Sequence, residues 1–314
     1  MGFAASFHSL GARLGGSLSD RNGSQLFGSL EKTPERLVSL IPSMTASLFD
    51  LGLDRRLVGV TDYCPQPQED KSSLPTVGGT RDPSLEKIVD LEPDLVLANR
   101  EENDRQIIEQ LIERGIAVWI TFPCSVDEAI GDLWALINLM PSEALNTTKL
   151  LMLERSLEWT RRAMAACTLR RVFYPIWMDE SDGETWFMTI NAETYIHDVL
   201  TICGGENIFA ARVRKYPLLA DLGRVEAESP GDRDCRYPRV TVHEVISHSP
   251  QVILLPDEPF AFTVDHLQGM HKIFADTPAA QSDNIHIIDG RLINWHGTML
   301  AQAIAEIPSI ISAA

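Results

Sequence analysis

From Arg36 onward, short apolar runs alternate with amphipathic stretches. "RLVSLI" (36–41) predicts a buried strand, and "SMTASLFDLG" (43–52) predicts a helix stopped by Gly52. "LVGV" (57–60) is a second strand, leading into the loop "TDYCPQPQE". "SLEKIVDLEPDLVLAN" (84–99) reads as helix, proline break and strand. "ENDRQIIEQLIERGIAVWIT" (102–121) repeats the unit as helix, glycine stop and strand. Such alternation predicts an α/β lobe with a mostly parallel sheet.

The rhythm then changes. Between Ser142 and Thr168 there is no Gly, no internal Pro and no strand pattern, so one helix of ~25 residues, ~38 Å long, is expected there. A second α/β lobe restarts at "RRVFYPIWM" (170–178). A helix near Thr194–Ile202, a long charged loop over 210–239, and "TVHEVISHSPQVILLP" (241–256) follow. The last part, "NIHIIDGRLINWHG" (284–297), places "RLIN" as a short strand after an Asp-Gly turn, before a closing helix. The expected organisation is an N-terminal extension (1–35), a first lobe (36–141), a connecting helix (142–168) and a second lobe (169–314). Setting Pro93 against Pro250 aligns "SLEKIVDLEPDLVLA" with "TVHEVISHSPQVILL", an internal echo that predicts two related lobes.

Open α/β sheets bind ligands beyond the carboxyl ends of their strands. In the first lobe those ends hold Ser43 and Thr45, Tyr63, Asn99 and Arg100, and the "TFPC" of Thr121–Cys124. In the second they hold "MDESDGETWF" (178–187), with Trp186 and Phe187, then "DEPFAF" (257–262) and "NWHG" (294–297), with Trp295 and His296. The set is rich in aromatic residues and poor in convergent acids and bases, which predicts a binding wall before a catalytic centre.

Charge narrows the partner. A formal net charge of -17 excludes nucleic acid, which needs a basic footprint, and disfavours anionic membrane surfaces. The 44% hydrophobic content is that of a globular chain with no membrane span. Five scattered cysteines without a CxxC give neither a zinc knuckle nor a disulfide framework. "HEVISH" misses the zinc-protease pattern, because His243 and His248 lie five apart and so on different helix faces. No phosphate loop and no nucleophile elbow occurs. Asp179, Glu180, Asp182 and Glu184 are expected in an exposed acidic loop.

"RLVSLIPSMTASLFDLGLDRRLVGVTDYCPQP", "VGGTRDPSLEKIVDLEPDLVLA", "CGGENIF" and "SPQVILLPDEP" together resemble the helical-backbone metal-receptor family. These are substrate-binding proteins of cobalamin and ferric-siderophore ABC importers. The resemblance runs from about Arg36 to Pro308, and within the family it is to the cobalamin-binding branch. It implies two α/β lobes joined by one long rigid helix, with the ligand in a cleft between the lobes. It also implies a monomer with no catalytic cofactor, and a corrinoid as the bound ligand. A pocket role passes to Tyr63 and Trp295, and more loosely to Trp186 and Phe187. His296, beside Trp295, is expected to face the corrin, with an axial contact to cobalt as its furthest reach. Thr80 and Asn99 stand where the family carries further tryptophans, and Arg81 and Arg100 lie at the rim, where an anionic ferric siderophore would need them. Glu86 matches one of the family's two permease-docking glutamates; His243, with Glu244 beside it, occupies the second place. The alternatives are a ferric-siderophore or haem binder, and an intracellular corrinoid-handling protein or enzyme.

The first thirty-five residues lack the pattern of a secretory signal, which predicts a cytoplasmic protein, or a periplasmic or cell-surface one if the true N-terminus differs. "MGFAAS" fits a myristoylation pattern only weakly. Phe3, Phe7, Leu10, Leu14 and Leu18 recur at helical spacing, as a short docking helix would.

Overall fold

The computed structural model describes residues 23–66, 73–140 and 144–312; the helical repeat from Phe3 to Leu18 lies outside them. The chain divides into two compact units. Unit one comprises the described residues of Met1–Pro123 with Glu128–Leu150, and unit two Cys124–Asp127 with those of Leu151–Ala314.

Unit one is built on the strands β1 (Gln25–Phe27), β2 (Leu37–Ser39), β3 (Leu57–Val60), β4 (Leu95–Asn99) and β5 (Val118–Thr121). They lie in the order β1-β5-β4-β2-β3, parallel except for β1, which pairs antiparallel with β5. Part of the expected extension therefore belongs to this sheet. Helices α1 (Pro42–Asp50), α2 (Leu85–Asp90), α3 (Arg105–Glu113) and α4 (Val126–Leu139) complete the alternation. All five residues of β4 are buried, which is why this strand reads as an unbroken apolar run. Ser84 and Asp104 start α2 and α3, each side chain accepting a first-turn amide.

The expected long helix is α5 (Ala144–Ala165), and the boundary between the two units falls inside it, at Leu150 and Leu151. Unit two contains strands β6 (Arg170–Phe173), β7 (Trp177–Ser181), β8 (Glu184–Met188), β9 (Gly205–Asn207), β10 (Arg239–Thr241), β11 (Val252–Pro256) and β12 (Ile285–Ile288). Its helices are α6 (Tyr195–Ile202), α7 (Leu218–Asp221), α8 (Val242–Ser247), α9 (Val264–Ile273), α10 (Pro278–Gln281), α11 (Arg291–Asn294) and α12 (Leu300–Ser312). A parallel sheet runs β12-β11-β6-β9, and a separate antiparallel one runs β10-β8-β7. The core centres on Phe173, whose ring meets Phe187, Phe209 and Phe274 edge-on at 5.6, 5.7 and 5.8 Å.

Three expectations are corrected here. "MDESDGETWF" is not a loop: β7 and β8 form a hairpin across Asp182 and Gly183, both at positive φ (54° and 78°), and Arg224 holds Asp182 and Glu184 at 2.8 and 2.7 Å. The 210–239 segment is not a bare loop either. It carries α7, and the guanidinium groups of Arg214 and Arg233 both lie over the Tyr216 ring, 4.2 and 4.0 Å from its centre. "RLIN" is α11, a helical turn rather than a strand, because the Asp289 carboxylate accepts the Arg291 amide at 3.0 Å and also pairs with its guanidinium.

The internal echo has a physical counterpart. In unit one the backbone turns through Glu92 (φ 44°) just before Pro93; in unit two it turns through Ser249 (φ 48°) just before Pro250. Arg36 Nε donates to Glu92 O at 3.0 Å, and Arg171 Nε donates to Ser249 O at 2.9 Å. The amides of the same arginines donate to Asp94 Oδ2 and Gln251 Oε1, both at 3.0 Å. Asp94 and Gln251 each return a backbone bond of 2.8 Å to their arginine's carbonyl. One helix–turn–strand device is thus built twice with different residues.

Asp132, on α4, is 8% exposed and borders a cavity of about 330 Å³ walled by Leu26, Trp119, Phe122 and Leu139. Its Oδ2 has no hydrogen-bond partner among the described residues. Burial pushes its carboxyl up to about 6, against the Ser24 hydroxyl, which pulls it down. A raised folded-state value means that ionisation opposes folding: the cost is absent below the unfolded carboxylate range and grows as pH rises through 6. Asp132→Asn is therefore expected to stabilise the protein at pH 8 by on the order of 2–3 kcal/mol. The gain should shrink toward zero near pH 4 in urea unfolding. Equal gains at both pH values would contradict this.

Candidate functional site

In unit one the strand order reverses direction between β2 and β4, the switch point at which open α/β sheets hold ligands. Asn103 closes this point. Its amide donates to Leu40 O (3.1 Å) and Thr80 O (2.8 Å), while its Oδ1 accepts the Asn99 amide at 2.7 Å. Asn103 was not among the expected residues, since nothing in its local pattern distinguishes it from any loop asparagine.

Around this stitch the structure gathers four of the expected residues. Tyr63 is 71% exposed on the loop after β3, and its ring edge lies 3.8 Å from where a Cβ on Gly79 would stand. Thr80 follows, tied through its carbonyl to Asn103. Arg81 is exposed and reaches Glu101 O at 3.5 Å, and Arg100 stacks over Phe122, 5.1 Å from the ring centre.

Ser43, Thr45 and Asn99 do not join these four as ligand-facing groups. Ser43 is 5% exposed. Thr45 is fully buried, its hydroxyl engaged with Ile41 O, Ser39 Oγ and the Cys64 thiol. Asn99 is 1% exposed; its amide nitrogen donates to Thr121 Oγ1 and its oxygen accepts the Glu101 amide. Thr45 and Asn99 hold the strand ends together, and a ligand could reach them only by breaking satisfied buried bonds; Ser43 is out of reach by burial alone.

In unit two, Trp295 and His296 follow α11 and are both half-buried. The Trp295 indole, which can only donate, favours the charged form of the nearby Glu258 side chain. Arg291 lies over the indole at 5.9 Å, and Tyr195 Oη donates to Trp295 O at 3.5 Å. The His296 ring stands edge-on to Tyr195 at 4.6 Å. Beneath, the fully buried Tyr174 donates to Asn294 Oδ1 at 2.9 Å, and Asn294 Nδ2 donates to Glu258 O at 2.8 Å. Burial raises the Glu258 carboxyl, the Trp295 indole opposes that rise, and the neighbouring Asp257 and Asp289 add to it. Glu258 was not singled out in the sequence. Its signal is its place between Pro256 and Pro259, directly after the buried β11.

Trp186 and Phe187 are corrected as wall residues. Both sit on β8, 7% and 0% exposed, and Phe187 packs within the Phe173 cluster. Of the three docking residues, Glu86 and His243 occupy the same place, two residues after the Ser84 and Thr241 caps, and both are exposed. Glu244 is committed: its carboxylate takes Arg212 Nε at 2.8 Å, and the same guanidinium reaches the fully buried Asp221 carboxylate at 3.0 Å. It cannot stand in for a free docking glutamate without breaking that network.

Among the described residues no group of three His, Cys, Asp or Glu side chains could hold a metal. His248, the second histidine of "HEVISH", has its Nδ1 2.8 Å from Glu244 O and its ring tilted on Phe209. No helix of the described residues is long and apolar enough to cross a membrane.

Comparison with known proteins bears on the fold. Residues 37–125 match the family model described as periplasmic binding protein. The periplasmic vitamin B12 binding protein BtuF of Vibrio cholerae superposes with a TM-score of 0.69 at 22% identity, covering 90% of this chain and 98% of that one. The chain has the periplasmic-binding-protein fold. The periplasmic heme-binding protein RhuT from Roseiflexus sp. RS-1 superposes with a TM-score of 0.68 at 21% identity, covering 89% of this chain and 98% of that one. In sequence, the chain is 28% identical over 221 residues to a vitamin B12-binding protein of Yersinia pestis (strain Pestoides F), spanning 70% of this chain and 69% of the relative. The vitamin B12-binding protein of Yersinia pseudotuberculosis serotype O:1b gives the same values.

Gly290 makes this site's packing testable. An added Cβ there would lie 2.7 Å from Glu258 Cγ and 2.9 Å from Glu258 O, with the loop already fastened by Gly290 N donating to Asp257 Oδ1 at 2.8 Å. Gly290→Ala should therefore destabilise the protein by about 1–3 kcal/mol in urea unfolding. An unchanged midpoint would mean that the Glu258 loop is not held against α11.

Proposed function

We propose that this protein is a non-enzymatic binding protein that captures cobalamin or a related corrinoid for an ABC importer. The observation that carries the reading is the 28% identity over 221 residues to proteins named for vitamin B12 binding, in a chain of the same fold as BtuF. The site chemistry supports it. A corrin is a broad, largely apolar ring, and aromatic planes bury such surfaces, each covering ~150–250 Å². Tyr63, exposed after β3 in unit one, and Trp295 with His296, half-buried after α11 in unit two, are rings that a ligand can meet. Tyr63 and Trp295 serve as corrin contacts, with His296 beside them as an edge contact and the nearest imidazole to the metal. Thr80 contributes a small polar contact where a further aromatic would narrow the pocket.

Glu86 is the docking carboxylate toward the permease in this reading, with His243 in the second place. The periplasm, named for the solved relatives, is the compartment it assigns.

A ferric-siderophore or haem ligand is the second reading, favoured by Arg81 and Arg100 beside Tyr63 and by the fold shared with RhuT. Equilibrium dialysis against cyanocobalamin, haemin and a ferric hydroxamate in parallel separates the two. Retention of cyanocobalamin alone is expected; retention of haemin or the hydroxamate alone would replace the first reading by the second. Trp295→Ala should weaken corrinoid binding at least tenfold, or ~1.4 kcal/mol. Unchanged affinity in a folded variant would remove Trp295 from the site.

A further inference from the structure

Two residues of α4 weaken the fold, and both line the same cavity in unit one. Asp132 is 8% exposed, and its buried Oδ2 has no hydrogen-bond partner among the described residues, so its charged form is left unsatisfied. Gly131 stands inside the helix, where only proline is a poorer residue. No close approach demands a glycine there, because an added Cβ would have nothing within 4 Å. What the two residues share is the open space beside them.

That space is a cavity of about 330 Å³, within the range of small-molecule pockets. Leu26 of β1, Trp119 of β5, Phe122 and Leu139 of α4 give it apolar walls. Its ionisable lining groups are Asp132 and Glu128, one turn apart on α4; β1 and β5 contribute none among the described residues. Beyond the lining, the Arg100 guanidinium lies over the Phe122 ring, 5.1 Å from its centre. Apolar walls around an unsatisfied carboxylate complement a cation with an apolar body. A primary ammonium brings three donors to the carboxylate, and aromatic rings such as Trp119 and Phe122 favour both its charge and its apolar part. An anion would meet two carboxylates, in a chain of net charge -17.

We infer that this cavity binds a small organic ammonium ion, with Asp132 as its counter-ion and Gly131 leaving room for the apolar body. The site belongs to the β1–β5 edge of the sheet, not to the switch point between β2 and β4, and stands independently of the corrinoid reading. The ligand supplies the donor that Asp132 lacks, so binding favours the ionised carboxylate. Without ligand, burial pushes that carboxyl up to about 6, and Glu128 adds to the rise. Affinity therefore grows as pH rises through 6, while the ammonium keeps its charge.

The test is a calorimetric titration of the full-length protein with benzylammonium chloride, beside benzyl alcohol as its neutral counterpart. One benzylammonium per chain is expected at pH 7.5, with affinity falling at least fivefold at pH 5. Benzyl alcohol should bind at least tenfold more weakly at pH 7.5 and show no such pH dependence. Asp132→Asn keeps the side chain's shape and should weaken benzylammonium at least tenfold while removing the pH dependence. Glu128 remains in that variant, so the loss assigns the counter-ion to Asp132. Gly131→Leu should fill the cavity and weaken benzylammonium at least tenfold. Neither substitution is expected to unfold the protein, since each removes a residue unfavourable to the fold, and thermal unfolding of both variants checks this. Failure of wild type to bind benzylammonium in the millimolar range would overturn the inference. So would equal binding of benzyl alcohol, or undiminished benzylammonium binding by a folded Asp132→Asn or Gly131→Leu variant.

Discussion

The charged hydrogen bonds of Arg36 and Arg171 set the frame on which everything else is hung. Each arginine stands at the start of a parallel strand, β2 or β6, and its guanidinium donates to the carbonyl of a residue at positive φ before a proline. Charge-assisted bonds of this kind are roughly twice as strong as neutral ones. They also fix where the following strand begins. The register of β4 on β2, and of β11 on β6, then determines which residues emerge at the carboxyl ends. Because β4 and β11 are buried along their whole length, those ends are where the two sheets can offer chemistry to a ligand.

At the ends, polar groups divide into two kinds. Asn99, Asn103 and Thr45 have their hydrogen bonds satisfied internally and act as fasteners. Tyr63 stands exposed beside those unit-one fasteners, while in unit two the half-buried Trp295 and His296 follow α11 and lie against Arg291 and Tyr195. In unit two the fastening is electrostatically expensive: three carboxylates, Asp257, Glu258 and Asp289, crowd one arginine and one indole. Arg291 lowers the Asp289 carboxyl, whereas burial and its neighbours raise Glu258. Two carboxylates brought from the ends of different strands, β11 and β12, thus take opposite environments, set by which of them owns the guanidinium.

Much of this was legible in the sequence, and the failures have local causes. The apolar runs of β4 and β11 announced central parallel strands, and the Gly-free stretch announced α5. Pro93 and Pro250 exposed the internal echo, although only the structure shows that Arg36 and Arg171 carry it. "RLIN" has a strand's composition, but one side chain, Asp289, turns it into α11 by binding the next helical amide. Trp186 and Phe187 looked like cleft aromatics because the Asp-Gly of a hairpin was read as a loop; pairing to β7 and β10 buries them. Ser43, Thr45 and Asn99 have the right chemistry at the right strand ends, yet burial and bond satisfaction cannot be seen in one dimension. Glu258 and Asn103 went unnoticed for the complementary reason: their importance lies in distant partners.

The most direct test of the account is a calorimetric titration of the purified full-length protein with cyanocobalamin, following the corrin absorption bands in the same samples and recovering the ligand afterwards. The account predicts saturation at one corrinoid per chain, with the ligand released chemically unchanged. Absence of both heat and spectral change would contradict it, and a chemically altered corrinoid on recovery would contradict its claim that the protein binds without catalysis.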